Sequence, residues 1–208
     1  MSYGLALMDS LSRLPISAPG MRIGLFGGSF NPPHEGHRLV SLQVMRRLQL
    51  DAVWWLVSPG NPLKDNRTLP AAADRVKKAR DFVVHPRVHV TGFEARMGFH
   101  FTYQTLDFLT SALPDRRFVW IMGADSLAGF HDWEHWDRIA RMVPMAVYVR
   151  PGSSRRALVS QAGQALGRFR VPERDAAALP YRDPPAWVFL HGLLSGLSSS
   201  AIRESRPG

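Results

Sequence analysis

The stretch GLFGGSFNPPHEGH, residues 24–37, joins the end of an apolar run, MRIGLF (21–26), to a segment with helical periodicity, HRLVSLQVMRRLQL (37–50). In that segment Leu39, Leu42 and Met45, with Val40, Val44 and Leu48, form one apolar stripe, so a buried strand is expected to pass into an amphipathic helix. Between them, Gly27 and Gly28 lack a Cβ and are expected to let the backbone turn sharply, so that a bulky anion can approach its N–H groups. The helix, expected to begin near Gly36 or His37, aims its unpaired N–H groups and its dipole at the same point. Both devices suit phosphate.

The same alternation runs outward through the chain. Strand-length apolar runs recur as AVWWLV (52–57), RVHVTGF (87–93), RFVWIMG (117–123), MAVYVR (145–150) and AWVFLHG (186–192). They are apolar throughout rather than alternating, as in strands covered on both faces. Helix-length segments lie between them at 71–83, 102–113, 132–142 and 155–169. Repeated strand–helix alternation predicts right-handed crossovers and an α/β fold, a doubly wound Rossmann-like parallel sheet with helices on both faces, in a single domain. The Pro-rich stretch 170–185 reads as a surface loop, and SPGNPLKDNRTLP (58–70) as a second long loop of functional kind.

Composition narrows the class. The 208 residues suit one sizeable core, and 45% apolar with 21% charged residues is ordinary for a globular protein. Without cysteine, disulfides and thiolate metal sites are excluded. No apolar run is long enough to span a bilayer, and residues 1–20 lack a signal-peptide pattern. A cytoplasmic protein is expected, with a loose extension over residues 1–20 ahead of a domain spanning 21–208. The 26 basic residues against 17 acidic give +9, with only three lysines; this favours phosphate-bearing partners, and biased base composition explains it equally well.

Neither G-x-G-x-x-G nor G-x-x-x-x-G-K-[ST] occurs, so a dinucleotide fingerprint and a Walker loop are both unsupported. His34 and His37, three apart around a helix start, present two ring donors to one side. They lack the i, i+4 spacing or third ligand of a zinc site. Near the other end, GLSSSAIRES (196–205) sets Ser198, Ser199 and Ser200 before a short helical segment, with Arg203 sharing a face with Ser199. Alone, this is a helix cap with a solvated arginine; joined to the histidine turn, it is a second phosphate site.

With these stretches in hand, the chain resembles the nucleotidyltransferases that carry an H-x-G-H signature and, within them, the bacterial nicotinate mononucleotide adenylyltransferase family. The likeness spans residues 21–206 and rests on GGSFNPPHEGH, SPGNPLK, FTYQTL, GADSLAGFHDWEHW and SSSAIR, in that order. It implies AMP transfer from ATP to nicotinate mononucleotide. It implies that His34, His37 and Arg203 are catalytic, binding the ATP phosphates, and that the backbone of Gly27, Gly28, Ser29 and Phe30 lines the adenosine and phosphate side. Asp125 would contact ribose, and Ser198, Ser199 and Ser200 would complete the ATP site. Lys64 would approach the mononucleotide phosphate, while Thr102 and Trp133 would hold the pyridine ring and its carboxyl group. For Thr102 and Asp125 a helix-capping role stays open, and for Trp133 simple packing with Trp136. Many relatives have Asp where Asn31 stands, a difference assigned to turn-making.

The implied chemistry needs no general base, because the attacking phosphate, with a second pKa of about 6, is already ionised. Mg²⁺ would arrive with ATP, with no protein metal site, and backbone N–H groups near a helix start at 132–134 could receive the carboxylate. The substrates are small molecules; no nucleic-acid or membrane partner is expected, and a homodimer is left open. The rival activities are phosphopantetheine adenylyl transfer and, in a different class, arginine-rich nucleic-acid binding.

Overall fold

Neither indole of the 52–57 run touches solvent: Trp54 and Trp55 are both fully buried, pointing to opposite faces of one sheet. Each such ring removes about 150–250 Å² from water, roughly 4–6 kcal/mol of burial before ordering costs. That two-sided burial is what strands sandwiched between helix layers require. The computed structural model describes residues 14–60, 65–149 and 154–192.

Within them the chain runs β1 (Arg22–Gly28), α1 (Glu35–Arg47), β2 (Ala52–Val57), α2 (Ala72–Phe82), β3 (Val88–Thr91), α3 (Phe93–Met97) and α4 (Thr102–Ala112). It continues through β4 (Arg117–Gly123), α5 (Ala124–Ala128), α6 (Trp136–Met142), β5 (Met145–Tyr148), α7 (Ser154–Val159), α8 (Gln161–Ala165), β6 (Arg170–Val171) and β7 (Trp187–Leu190). The described strands form one parallel sheet in the order β3-β2-β1-β4-β5-β7-β6. Leu25 of β1 lies level with Trp54 of β2 on one side and Trp120 of β4 on the other. One face packs under α1 and α2 through Val44, Met45, Leu48, Val76 and Ala79; the other packs under α4, α5 and α6 through residues such as Leu106, Leu127 and Ile139. The expected doubly wound Rossmann-like sheet is therefore present.

Strand order reverses between β1 and β4, opening a crevice at their carboxyl ends. No helix among the described residues is long and apolar enough to cross a membrane.

Three segments differ from their sequence reading. The supposed loop 170–185 contains a 3-10 helix, Glu173–Tyr181, whose Ala176, Leu179 and Pro180 are buried; three-residue periodicity sets Ala176 and Leu179 on one side against the sheet. The single helix expected over 155–169 breaks at Ser160, whose hydroxyl accepts from Gly163 N–H at 3.1 Å and so starts α8 as a new helix. Residues 14–20, grouped with the loose extension, are tied to the domain: Gly20 N–H donates to the Asp115 carbonyl at 2.7 Å and Arg116 to the Ser17 carbonyl at 3.0 Å.

Candidate active site

The crevice holds a cavity of about 670 Å³, within the usual range for a small-molecule site. Its β1 side is built from local backbone chemistry. His34 is the N-cap of α1, which begins at Glu35 rather than at the expected Gly36 or His37, and its Nδ1 accepts from Gly36 N–H at 3.1 Å. In return, His37 Nδ1 accepts from His34 N–H at 3.2 Å. The two histidines thus stand where a capping box usually uses Ser and Glu. A ring whose Nδ1 accepts carries its proton on Nε2, so this hydrogen bonding assigns both imidazoles as Nε2–H donors. Their centroids are 3.9 Å apart, and both rings line the cavity.

Aromatic packing holds the pair from behind. Phe30 lies 4.8 Å from His37 and stacks on Trp55 at 4.6 Å with 14° between planes. Trp55 Nε1–H donates to Ser41 Oγ at 2.7 Å, and Ser41 donates to the His37 carbonyl at 2.9 Å. Helix α1 and strand β2 therefore fix the imidazoles together.

The glycines act differently from expectation. β1 continues through Gly28, and neither Gly27 nor Gly28 takes a positive φ; the sharp reversal falls on Phe30, with φ of 46°. A phenylalanine in that region is strained, and burial of its ring against Trp55 and His37 holds it there. Gly27 is needed instead for close approach: a Cβ there would lie 2.7 Å from the Trp120 ring. The Asn31–Pro32 peptide in this turn is cis.

The β4 side brings in residues from the other half of the chain. Gly123 is the N-cap of α5, so Asp125 makes no cap and its exposed carboxylate lines the cavity. Phe101, not Thr102, is the N-cap of α4; Gln104 Oε1 accepts from the N–H groups of His100 and Phe101 at 2.9 and 3.0 Å. Thr102 is left at the cavity wall. Trp133 also lines it, packed edge-on against Phe130 and Trp120 at 5.4 and 6.3 Å. The helix expected from 132 begins only at Trp136, after a 3-10 turn over Phe130–Asp132. Of the 132–134 N–H groups expected to receive a substrate carboxylate, those of Asp132 and Trp133 are spent on the Gly129 and Phe130 carbonyls.

Two lining or supporting residues had gone unrecognised. Glu94 is 7% exposed on the cavity wall and accepts from Thr105 Oγ1 at 2.6 Å; burial pushes its carboxyl above the usual range, with the Thr105 hydrogen bond opposing. Arg75 lies buried beneath the loops. Its sequence signal was an arginine set beside Val76, one turn before Ala79, on the apolar face of α2. Lys64, Ser198, Ser199, Ser200 and Arg203 fall outside the described residues.

Known proteins resemble this chain in sequence and in fold. A family profile described as cytidylyltransferase-like matches residues 25–205. A probable nicotinate-nucleotide adenylyltransferase of Bradyrhizobium sp. (strain BTAi1) is 54% identical over 184 residues, covering 88% of this chain and 96% of that protein. The chain belongs to the nicotinate-nucleotide adenylyltransferase family. A relative of the same description from Rhizobium meliloti is 47% identical over 90% of this chain and 100% of its own length. Among solved structures, the Plasmodium falciparum nicotinic acid mononucleotide adenylyltransferase complexed with NaAD is similar at a TM-score of 0.65, with 15% identity, over 88% of this chain and 83% of that one. At that identity the likeness speaks for the fold.

Proposed function

We propose that this protein transfers AMP from ATP to nicotinate mononucleotide, forming nicotinate adenine dinucleotide and releasing pyrophosphate. One observation carries this: two imidazoles held as Nε2–H donors on the β1 side share a single cavity with Asp125, Thr102 and Trp133 from the β4 side. Two substrates can meet there, one against each half of the sheet.

In this reaction an oxygen of the mononucleotide 5′-phosphate bonds to the α-phosphorus of ATP, and the bond from α-phosphorus to the bridging oxygen breaks. The electron pair leaves with pyrophosphate. Catalysis then consists of aligning two phosphates that repel each other and neutralising charge on the oxygens. His34 and His37 donate to the ATP phosphates, helped by the α1 N-terminus. Gly27, Gly28, Ser29 and Phe30 supply backbone along the adenosine side, and Asp125 accepts from a ribose hydroxyl. Ser198, Ser199, Ser200 and Arg203 complete the triphosphate site. Trp133 stacks on the pyridine ring, Thr102 bonds its carboxylate, and Lys64 meets the mononucleotide phosphate.

Among the described residues no three His, Asp or Glu side chains gather as a metal site. Mg²⁺ arriving on ATP would be held by phosphate oxygens and water, as is usual for that ion, and would supply charge neutralisation at the phosphates. The test is pyrophosphate release from Mg·ATP with nicotinate mononucleotide, nicotinamide mononucleotide or phosphopantetheine as acceptor. Turnover with the nicotinate acceptor is expected to dominate; preference for phosphopantetheine, or silence with both mononucleotides, would overturn the assignment.

A further inference from the structure

Arg75 sits on the inward face of α2 with 1% of its surface exposed, beside Val76 and Ala79. No carboxylate pairs with it among the described residues; burial alone acts on its pKa, downward. Its guanidinium instead donates to four backbone carbonyls. Nη1 reaches Ser29 at 2.9 Å and Ser58 at 2.7 Å, Nη2 reaches Pro59 at 3.0 Å, and Nε reaches Pro70 at 2.9 Å. Ser29 belongs to the turn after β1, whereas Ser58 and Pro59 open the loop after β2, and all three line the cavity.

A buried cation without a counter-ion is a poor choice for stability, and an apolar side chain at such an inward position is often neutral or better. The planar fork does something an apolar group cannot, since it spans carbonyls of two separate loops at fixed angles. We propose that Arg75 is a positioning residue that sets the relative placement of the β1–α1 turn, which receives ATP, and the β2–α2 loop, which receives the mononucleotide. This rests on the adenylyltransferase assignment above. Arg75 bonds only backbone carbonyls of the two loops, Ser29 on one side and Ser58 and Pro59 on the other, so what it sets is their mutual geometry. A displacement of about 1 Å between reacting groups costs about 100-fold in rate, so a lysine, which offers one point of charge in place of a fork, is expected to lower kcat by about 10- to 100-fold.

The experiment compares wild type, Arg75→Lys, Arg75→Ala and Arg80→Gln. Arg80 lies on the same helix and donates to the Val90 carbonyl on edge strand β3 at 3.2 Å, so it controls for loss of an arginine–backbone contact away from the cavity. Kinetics are measured well below each melting midpoint, and binding of ATP and of nicotinate mononucleotide is titrated separately. Expected for Arg75→Lys is a lower kcat with each separate affinity near wild type, while Arg80→Gln keeps wild-type kcat. Added guanidinium chloride at millimolar concentration should partly restore kcat to Arg75→Ala; if that variant does not fold, Arg75→Lys carries the test. Unchanged kcat in folded Arg75→Lys, or a loss matched by equal weakening of both separate affinities, would overturn the proposal. Wild type that fails to turn over both substrates would instead overturn the assignment beneath it.

Discussion

Replacing His34 separates its two jobs. The structure makes it an N-cap through Nδ1 and, on the proposed mechanism, a phosphate donor through Nε2. Asparagine places Oδ1 where Nδ1 stood and has no atom beyond the δ position, so His34→Asn keeps the cap and loses the donor. His34→Ala loses both. Loss of a side-chain N-cap costs about 1 kcal/mol, and in a chain of this size each such unit lowers the melting midpoint by about 2–4 °C. Both variants sacrifice the same ring packing against His37, 3.9 Å away; the cap is therefore their difference, and His34→Asn should melt about 2–4 °C above His34→Ala. Both should lose kcat by about 100-fold or more, as when one preorganised oxyanion donor is removed. The assays are thermal denaturation by circular dichroism and pyrophosphate release at saturating ATP and nicotinate mononucleotide. Wild-type kcat in a folded His34→Asn would show that the residue is a cap and nothing more; equal melting of the two variants would refute the cap.

Other substitutions probe the surrounding shell. His37→Ala should leave a folded protein by circular dichroism yet abolish detectable pyrophosphate release, and an active, folded variant would remove His37 from the reaction. Gly27→Ala sets a Cβ 2.7 Å from the buried Trp120 ring, so overpacking should cost about 1–3 kcal/mol in denaturant unfolding; an unchanged unfolding midpoint would mean the wall yields. Burial raises the Glu94 pKa, so the folded state holds that proton more tightly than the unfolded chain. The stability this brings is complete below the ordinary value of 4.5 and is lost as pH rises through the folded value. Glu94→Gln can still accept from Thr105, and its melting temperature should fall less steeply than wild type's as pH rises above 4.5; parallel curves would refute a buried, proton-retaining carboxyl.

What the sequence by itself determined was whatever local chemistry controls. The runs 52–57 and 117–123 are strands with those boundaries, because short apolar runs rich in β-branched and aromatic residues suit a sheet covered on both faces. The paired histidines were legible as two rings three residues apart at a helix start, presented to one side; that they cap the helix reciprocally is a finding of the structure. Tertiary structure decided the rest. Arg75 reaches Ser29 across 46 residues and Ser58 across 17, and nothing within α2 distinguishes it from Arg80 except the face it occupies. Phe30 takes the left-handed turn expected at the two neighbouring glycines, because Trp55 offers its ring a stacking partner that only the β1–β2 pairing brings near. Trp133 keeps its place at the cavity although its helix starts later than the pattern suggested, since the 3-10 turn before it consumes the backbone donors. Periodicity reports which faces of a segment are apolar, whereas hydrogen-bond partners and cavity walls depend on which distant segments the sheet order places side by side.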